Sequence, residues 1–224
     1  MNELNEVIIP HFNKYTLISN KYVDFLFWSK AVNLVLNKEH LKLPGFLTIL
    51  NYYASINRGA SKKVLSFFPN IKALDRPLIN LPVALDQFWV SGFVAGDGGF
   101  AVYTHKASKF DSLRERLSYR FYITQHSKDL DLMKLFIKFF NCGVIHVRSN
   151  LATPRCDYIV QDAISLLEKI IPHFDSYPLS NLKQKDFVNF KESMNLIKLN
   201  KHLTKEGLEK IKDLSLEMNS NRLK

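Results

Sequence analysis

The residues with the most to say about chemistry stand together at Phe88 to Phe100, in the string FWVSGFVAGDGGF. Gly92 and Gly96 are spaced one helical turn apart, and without Cβ atoms they let a second helix come close. Asp97 follows directly. It is a carboxylate, the hard oxygen donor that magnesium takes one or two at a time, together with phosphate and water. The competing reading of GDGG is a glycine-rich turn that its aspartate caps. Cys142 and Cys156 match no zinc spacing and no disulfide framework, so they read as inert thiols of a reducing compartment.

The elements that must position Asp97 follow from periodicity. Asp86 to Gly96 reads as a helix. In Arg116 to Thr124 the odd positions Leu117, Tyr119, Phe121 and Ile123 are apolar, and the even ones Arg116, Ser118, Arg120, Tyr122 and Thr124 are polar or amphipathic. A strand puts successive side chains on opposite faces, so this one has a face for a core and a face for a polar partner. Phe100 to Lys106, Val144 to Arg148 and Arg155 to Gln161 are the other strand candidates, and Leu130 to Phe140 has helical spacing. The order of helix, two strands, helix, two strands and helices predicts an α+β unit with its helices on one face of an antiparallel sheet.

Sliding the chain against itself shows a duplication. IIPHFNKYTLISNKYVDF at Ile8 to Phe25 returns as IIPHFDSYPLSNLKQKDF at Ile170 to Phe187, and at the constant offset of 162 there are 17 identities over the 50 positions from Ile8 to Asn57. Among them are His11 and His173, Lys21 and Lys183, His40 and His202, and Gly45 and Gly207. Residues 1–59 then correspond to the C-terminal half of a first repeat, and residues 86–224 to a complete second repeat. Residues 60–85, with Pro69, Pro77 and Pro82, read as a linker running over the surface. His11 and His173 are expected to pack and cap rather than to act as ligands.

A formal net charge of +10 with 46% hydrophobic residues fits a globular chain with an anionic partner, most often nucleic acid. Richness in Lys, Asn, Ile and Phe also follows from an AT-rich genome and hints at organellar coding. The start MNELNEVIIPHF has the features of neither an import signal nor a secretory leader, and no apolar run is long enough to span a membrane.

FWVSGFVAGDGGF resembles the LAGLIDADG motif, its nine positions filled in turn by Val90, Ser91, Gly92, Phe93, Val94, Ala95, Gly96, Asp97 and Gly98. The text around it is similar to the mitochondrial, intron-encoded two-motif group of LAGLIDADG homing endonucleases: FPN at Phe68, RP at Arg76, Trp89, Phe100, ITQ at Ile123, NKEHL at Asn37 and both IIPHF segments. Ala95 departs from the acidic residue usual at the sixth motif position. The resemblance implies the LAGLIDADG homing-endonuclease fold, one complete αββαββα unit preceded by the C-terminal half of a first unit. It implies that Gly92 and Gly96 form the interface of the motif helix, and that Asp97 stands at a seam between two units.

On the same ground, Asp97, with Gly96 beside it, holds divalent metal, Mg2+, over a scissile phosphate as half of a carboxylate pair. Lys183 and Lys21 carry over as basic residues near the metal, and Gln125 as a residue that positions water; the alternative for these is ordinary solvated surface. DNA contacts fall to the polar strand faces: Thr104, Lys106, Arg116, Arg120, Tyr122, His146, Arg148, Arg155 and Asp157, with Lys128 and Lys134 on phosphate. The implied function is metal-dependent hydrolysis of both strands of an intron-insertion site in double-stranded DNA, within the mitochondrion where the gene resides. The first motif helix would come from sequence upstream or from a second copy of the chain. The alternative is a protein that binds nucleic acid without cutting, as a maturase on intron RNA or as a degenerate fragment.

Overall fold

A computed structural model of the chain describes residues 1–105, 116–150 and 152–219. The chain divides into two compact units, Met1–Pro82 and Val83–Lys224. In the first, a π-helical turn at Leu4–Ile8 runs into α1 (Ile9–Lys14), followed by α2 (Lys21–Leu36), α3 (Leu43–Ser55) and α4 (Lys62–Phe67). The second contains α5 (Gln87–Asp97), β1 (Gly98–His105), β2 (Arg116–His126), α6 (Leu130–Phe140), β3 (Val144–Val147) and β4 (Arg155–Val160). It continues through α7 (Ala163–Ser165) and a π-helical turn at Leu166–Ile170 into α8 (Ile171–Ser176), α9 (Lys183–Lys198) and α10 (Lys205–Leu216).

The second unit is the expected α+β arrangement. Its four strands pair antiparallel in the order β1-β2-β4-β3. Phe100, Phe121, Ile123 and Tyr158 are fully buried on one face, under Phe136 and Phe140 of α6, Phe174 of α8, and Phe187 and Phe190 of α9. The Phe100 ring is packed 5.3 to 5.4 Å, centroid to centroid, from those of Phe121, Phe174, Phe187 and Phe190. Each such ring removed from water stabilises the fold by roughly 1.5–3 kcal/mol. Helix α6 buries Leu132, Met133, Phe136 and Phe140, the stripe that its spacing predicts, and ends where Asn141 turns left-handed at φ 50°.

Helix α5 begins at Asp86, whose carboxylate accepts the Trp89 N–H at 2.9 Å. It ends without a turn: Asp97 closes the helix, and Gly98, at φ −92° and ψ 178°, is already extended and opens β1. A Cβ on Gly98 would lie 2.7 Å from Val94 Cγ1, so this abrupt passage from helix to strand depends on glycine. The glycine-turn reading of GDGG is thereby excluded.

The duplication is visible in the backbone. The π turns, α1 and α8, α2 and α9, and the 3-10 turns Glu39–Leu41 and Lys201–Leu203 all begin at the same offset of 162 residues. So do the left-handed residues Lys38 and Asn200, and Asn57 and Asn219. A Cβ on Gly45 or Gly207 would run into the carbonyl of Glu39 or Lys201, which accounts for glycine in both copies. The segment expected to be a linker contains α4, capped by Ser61, and is tied to the first unit by Arg76. That guanidinium donates to Asp24 Oδ1 (2.9 Å) and to the carbonyls of Ser55 (2.7 Å) and Asn20 (2.9 Å). Burial raises the Asp24 carboxyl, but bonds from Arg76 and Lys21 outweigh it, and the net shift is downward.

Candidate active site and nucleic-acid interface

Three of the four residues expected at a catalytic centre lie together at the end of α5. Gln125, near the end of β2, shares the strand face of Phe121 and Ile123 and so points towards the helices. Its Nε2 donates to Asp97 Oδ2 at 2.6 Å. Asp97 is exposed, and its Oδ1 accepts no hydrogen bond among the described residues. Lys183, the first residue of α9, donates from Nζ to the carbonyl of Gly96 at 2.8 Å and to that of Val94 at 3.3 Å.

Asn181 Nδ2 donates to the intervening carbonyl, that of Ala95, at 2.8 Å. The last carbonyls of a helix have no partner within it and carry the negative end of its dipole. One short stretch of chain thus satisfies two of them, those of Ala95 and Gly96, while the Val94 carbonyl also accepts the Gly98 N–H. Asn181 was not legible in the sequence, since its repeat counterpart is Ser19 and the pattern there carries no signal.

Electrostatically, the site sets a carboxylate and an ammonium side by side. Burial pushes the Lys183 amine below its usual pKa, opposed by the charges of Asp97 and Asp186. Lys21 sits at the equivalent helix start in the first unit with different partners, donating to Asn57 Oδ1 at 3.0 Å and Asp24 Oδ2 at 3.2 Å.

No group of three or more His, Cys, Asp or Glu side chains that could hold a metal occurs among the described residues. What the helix end offers instead is one carboxylate oxygen and, on Gly96, a carbonyl with a lone pair left beside the Lys183 bond. This donor set suits a hard cation that completes its shell with phosphate and water, and does not suit a closed all-protein cage.

The sheet face away from the helices carries the residues expected to meet DNA, with corrections. Cross-strand partners in an antiparallel pair share a face. Tyr103 is paired with Ser118 and His105 with Arg116, so these two β1 residues lie on the polar face. Thr104 is paired with Leu117 and faces the other way, which removes it from the candidates; the alternation starting at Phe100 and Val102 carried that signal. Lys106 lies outside the described residues. Arg116 and Arg155, at strand ends, and His146, opposite Asp157 on β3, are exposed on the polar side. The Lys134 ammonium donates to Asp131 at 2.7 Å.

Two clusters organise this face. Arg120 lies over the rings of Tyr103 and Tyr122, 5.3 and 5.2 Å from their centroids, and its Nη2 donates to the Tyr103 hydroxyl at 3.2 Å. Tyr122 in turn lies over Gly99, where an added Cβ would come within 2.6 Å of the hydroxyl. In the second cluster, Arg148 donates from Nε to Asp157 Oδ2 (2.7 Å) and from Nη2 to Oδ1 (2.8 Å), and Thr124 Oγ1 donates to Oδ1 (2.6 Å). The Arg148 bond holds the Asp157 carboxyl below its usual range. Asp157 is only 6% exposed, so it is a buried partner of Arg148 rather than a contact for a base.

The remaining sequence candidates are structural. His173 packs edge-on against Phe139, Phe140 and Phe174, with its Nε2 3.4 Å from Ser91 Oγ, and burial pulls its pKa down to about 4. Cys156 is buried, and burial pushes its thiol upward.

Comparison with known proteins agrees with this geometry. The family model described as LAGLIDADG endonuclease matches residues 1–32 and 90–194. A Neurospora crassa protein named "Probable intron-encoded endonuclease 2" is 38% identical over 224 residues, covering 96% of this chain; the chain spans about half, 47%, of that relative's length. Among solved structures, the I-SmaMI LAGLIDADG homing endonuclease bound to cleaved DNA superposes with a TM-score of 0.91 at 35% identity, over 99% of this chain and 73% of that one. I-SmaMI bound to an uncleaved DNA target in the presence of calcium ions gives 0.89 at 34% identity, over 97% of this chain and 73% of that one. Matched by the family model on both sides of its repeat, and sharing its fold with these enzymes almost end to end, the chain belongs to the LAGLIDADG endonuclease family.

Proposed function

We propose that this chain acts in a sequence-specific, metal-dependent endonuclease that hydrolyses the two strands of an intron-insertion site. The observation that carries the reading is the helix end itself: an exposed carboxylate, Asp97, fixed by Gln125 and flanked by the ammonium of Lys183. Residues 1–59 and 86–224 serve as the C-terminal half of one LAGLIDADG repeat and the whole of a second. A second motif helix, from the same polypeptide or a second copy, packs on the face of Gly92 and Gly96 and brings the other carboxylate of the pair.

Asp97 Oδ1 and the Gly96 carbonyl are the oxygens that would hold Mg2+. When bound, the cation neutralises charge on the scissile phosphate and lowers the pKa of water. Gln125 holds the carboxylate in one orientation, so that no rotamer has to be frozen as substrate arrives. Lys183, already partly desolvated, places positive charge where the phosphate gains negative charge in the transition state. The polar sheet face, with Tyr103, His105, Arg116, Arg120, Tyr122, His146, Arg148 and Arg155, lies along the major groove, where base edges are distinguishable. The intron-encoded relative and the Lys, Asn, Ile and Phe bias support a mitochondrial gene and site of action.

Cleavage of supercoiled DNA carrying the intronless site, in magnesium, tests the reading. Asp97→Asn should cut at least a hundredfold more slowly, an effect of the size lost with one electrostatic stabiliser, while duplex binding persists. A variant that cuts as fast as the parent removes Asp97 from the chemistry. A protein that binds folded intron RNA but no duplex is a maturase instead.

A further inference from the structure

The Thr124, Asp157 and Arg148 cluster has a feature that simple charge attraction to DNA does not require. Asp157 sits in β4 between Thr124 of β2 and His146 of β3, nearly excluded from solvent. Both its oxygens are engaged, Oδ2 by Arg148 Nε and Oδ1 by Arg148 Nη2 and the Thr124 hydroxyl. A guanidinium has five N–H donors in a rigid plane. The carboxylate takes the two on its side edge and leaves the two parallel N–H groups of the end edge, one on Nη1 and one on Nη2. Among the described residues these have no partner, and the Arg148 side chain is 45% exposed on the polar face.

As a pair, Arg148 and Asp157 carry no net charge, so the unit adds little to the counterion-release attraction that draws phosphate. What it retains is direction: a fork held in one plane from both sides, matching two acceptors such as O6 and N7 of guanine.

We propose that Asp157 is a positioning residue that, with Thr124, locks Arg148 to read one guanine through its end edge. This rests on the assignment of the sheet face to DNA. Arg148 is then the specificity-determining residue of β3 and β4, and Asp157 acts only through it.

The test is selection of bound sequences from a randomised duplex pool by the full chain, compared with Arg148→Lys, Asp157→Asn and Thr124→Val. The expected result is one guanine whose preference falls about tenfold to a hundredfold, the discrimination of one bidentate pair, in Arg148→Lys and Asp157→Asn alike. Preferences elsewhere in the site should persist. Thr124→Val, which leaves the salt bridge itself in place, should weaken preference at that guanine alone. Circular dichroism melts establish that each variant is folded, and Arg148→Lys keeps the charge if Asp157→Asn is not. Loss of preference in Arg148→Lys with full retention in folded Asp157→Asn overturns the positioning role. An Arg148→Lys variant that keeps the preference at every position, or that weakens binding equally on all sequences, makes Arg148 a phosphate contact and overturns the reader. If the parent shows no sequence preference at all, the assignment of the face to specific DNA recognition fails instead, which is a separate result.

Discussion

Lys183 Nζ donates to the carbonyl of Gly96 at 2.8 Å, one residue before the carboxylate of Asp97, so a single side chain both ends the motif helix and places a cation beside its acid. The two roles have a common origin. A helix C-terminus is negative and attracts an ammonium, and a carboxylate there needs one nearby.

Lys183→Met separates the two roles. Removing the amine leaves the Gly96 carbonyl to water, while the Val94 carbonyl keeps the Gly98 N–H, and with the site half exposed the cost should be about 1 kcal/mol in urea unfolding. Cleavage should fall far more than that fraction of unfolded protein explains. A variant whose loss of cutting simply tracks its loss of folded chain would make Lys183 a helix cap and nothing else.

Gly99→Ala addresses the Arg120 cluster. The new methyl would stand 2.6 Å from the Tyr122 hydroxyl and 2.7 Å from Cζ. Because the ring can swing off the open face, the cost in folding should stay near the low end for overpacking, about 1 kcal/mol. Arg120 loses the Tyr122 ring at 5.2 Å. Duplex affinity of Gly99→Ala should therefore match that of Tyr122→Leu, and the double variant should be no weaker. Additive losses would show that the position of the ring is not what Gly99 controls.

Much of the fold was legible in the sequence because it is periodic. The alternation of Arg116 to Thr124 marked the two faces of β2, and the apolar stripe of Leu130 to Phe140 gave α6 with its observed bounds. The duplication set Lys183 at the same point of its repeat as Lys21, and both residues open a long helix. Thr104 departs from the expectation because on a strand parity outranks polarity: a threonine after Tyr103 is on the core side whatever its hydroxyl suggests. The role of Asp157 was hidden for a different reason. Its partners Arg148 and Thr124 are 9 and 33 residues away, and only the β2-β4-β3 register brings all three together. Arg76, read as part of a surface linker, is likewise defined by contacts more than 50 residues away in sequence, with Asp24 and Asn20.

Gly92→Ala tests the exposed face of α5. An added Cβ meets nothing within 4 Å, so the substitution should stabilise the chain by the helix propensity of alanine, about 0.5–1 kcal/mol. If a second helix packs closely here in the working enzyme, the same methyl should impair cleavage. A melting temperature that rises while cutting falls is the expected pair of results. A rise in both would remove the close helix contact from the proposal.

The last prediction concerns acid stability. His173 has a pKa of about 4 in the fold, against an ordinary value of 6.5, because burial disfavours its charged form. Between those values the unfolded chain binds a proton that the folded chain does not, so stability rises with pH across the window. The contribution of neutral His173 is complete above pH 6.5 and is lost as pH falls towards 4. Discounted for the partial exposure of the ring, the loss should be of order 1–2 kcal/mol. Urea midpoints at about pH 7.5 and about pH 5, on either side of the ordinary histidine pKa, should differ for the parent. They should converge for His173→Gln, which keeps a polar group near Ser91 but cannot titrate. An unchanged pH dependence in that variant would assign the acid sensitivity to groups other than His173; Asp157 is not among them, since its depressed pKa makes its own contribution fail only as pH drops below 3.8.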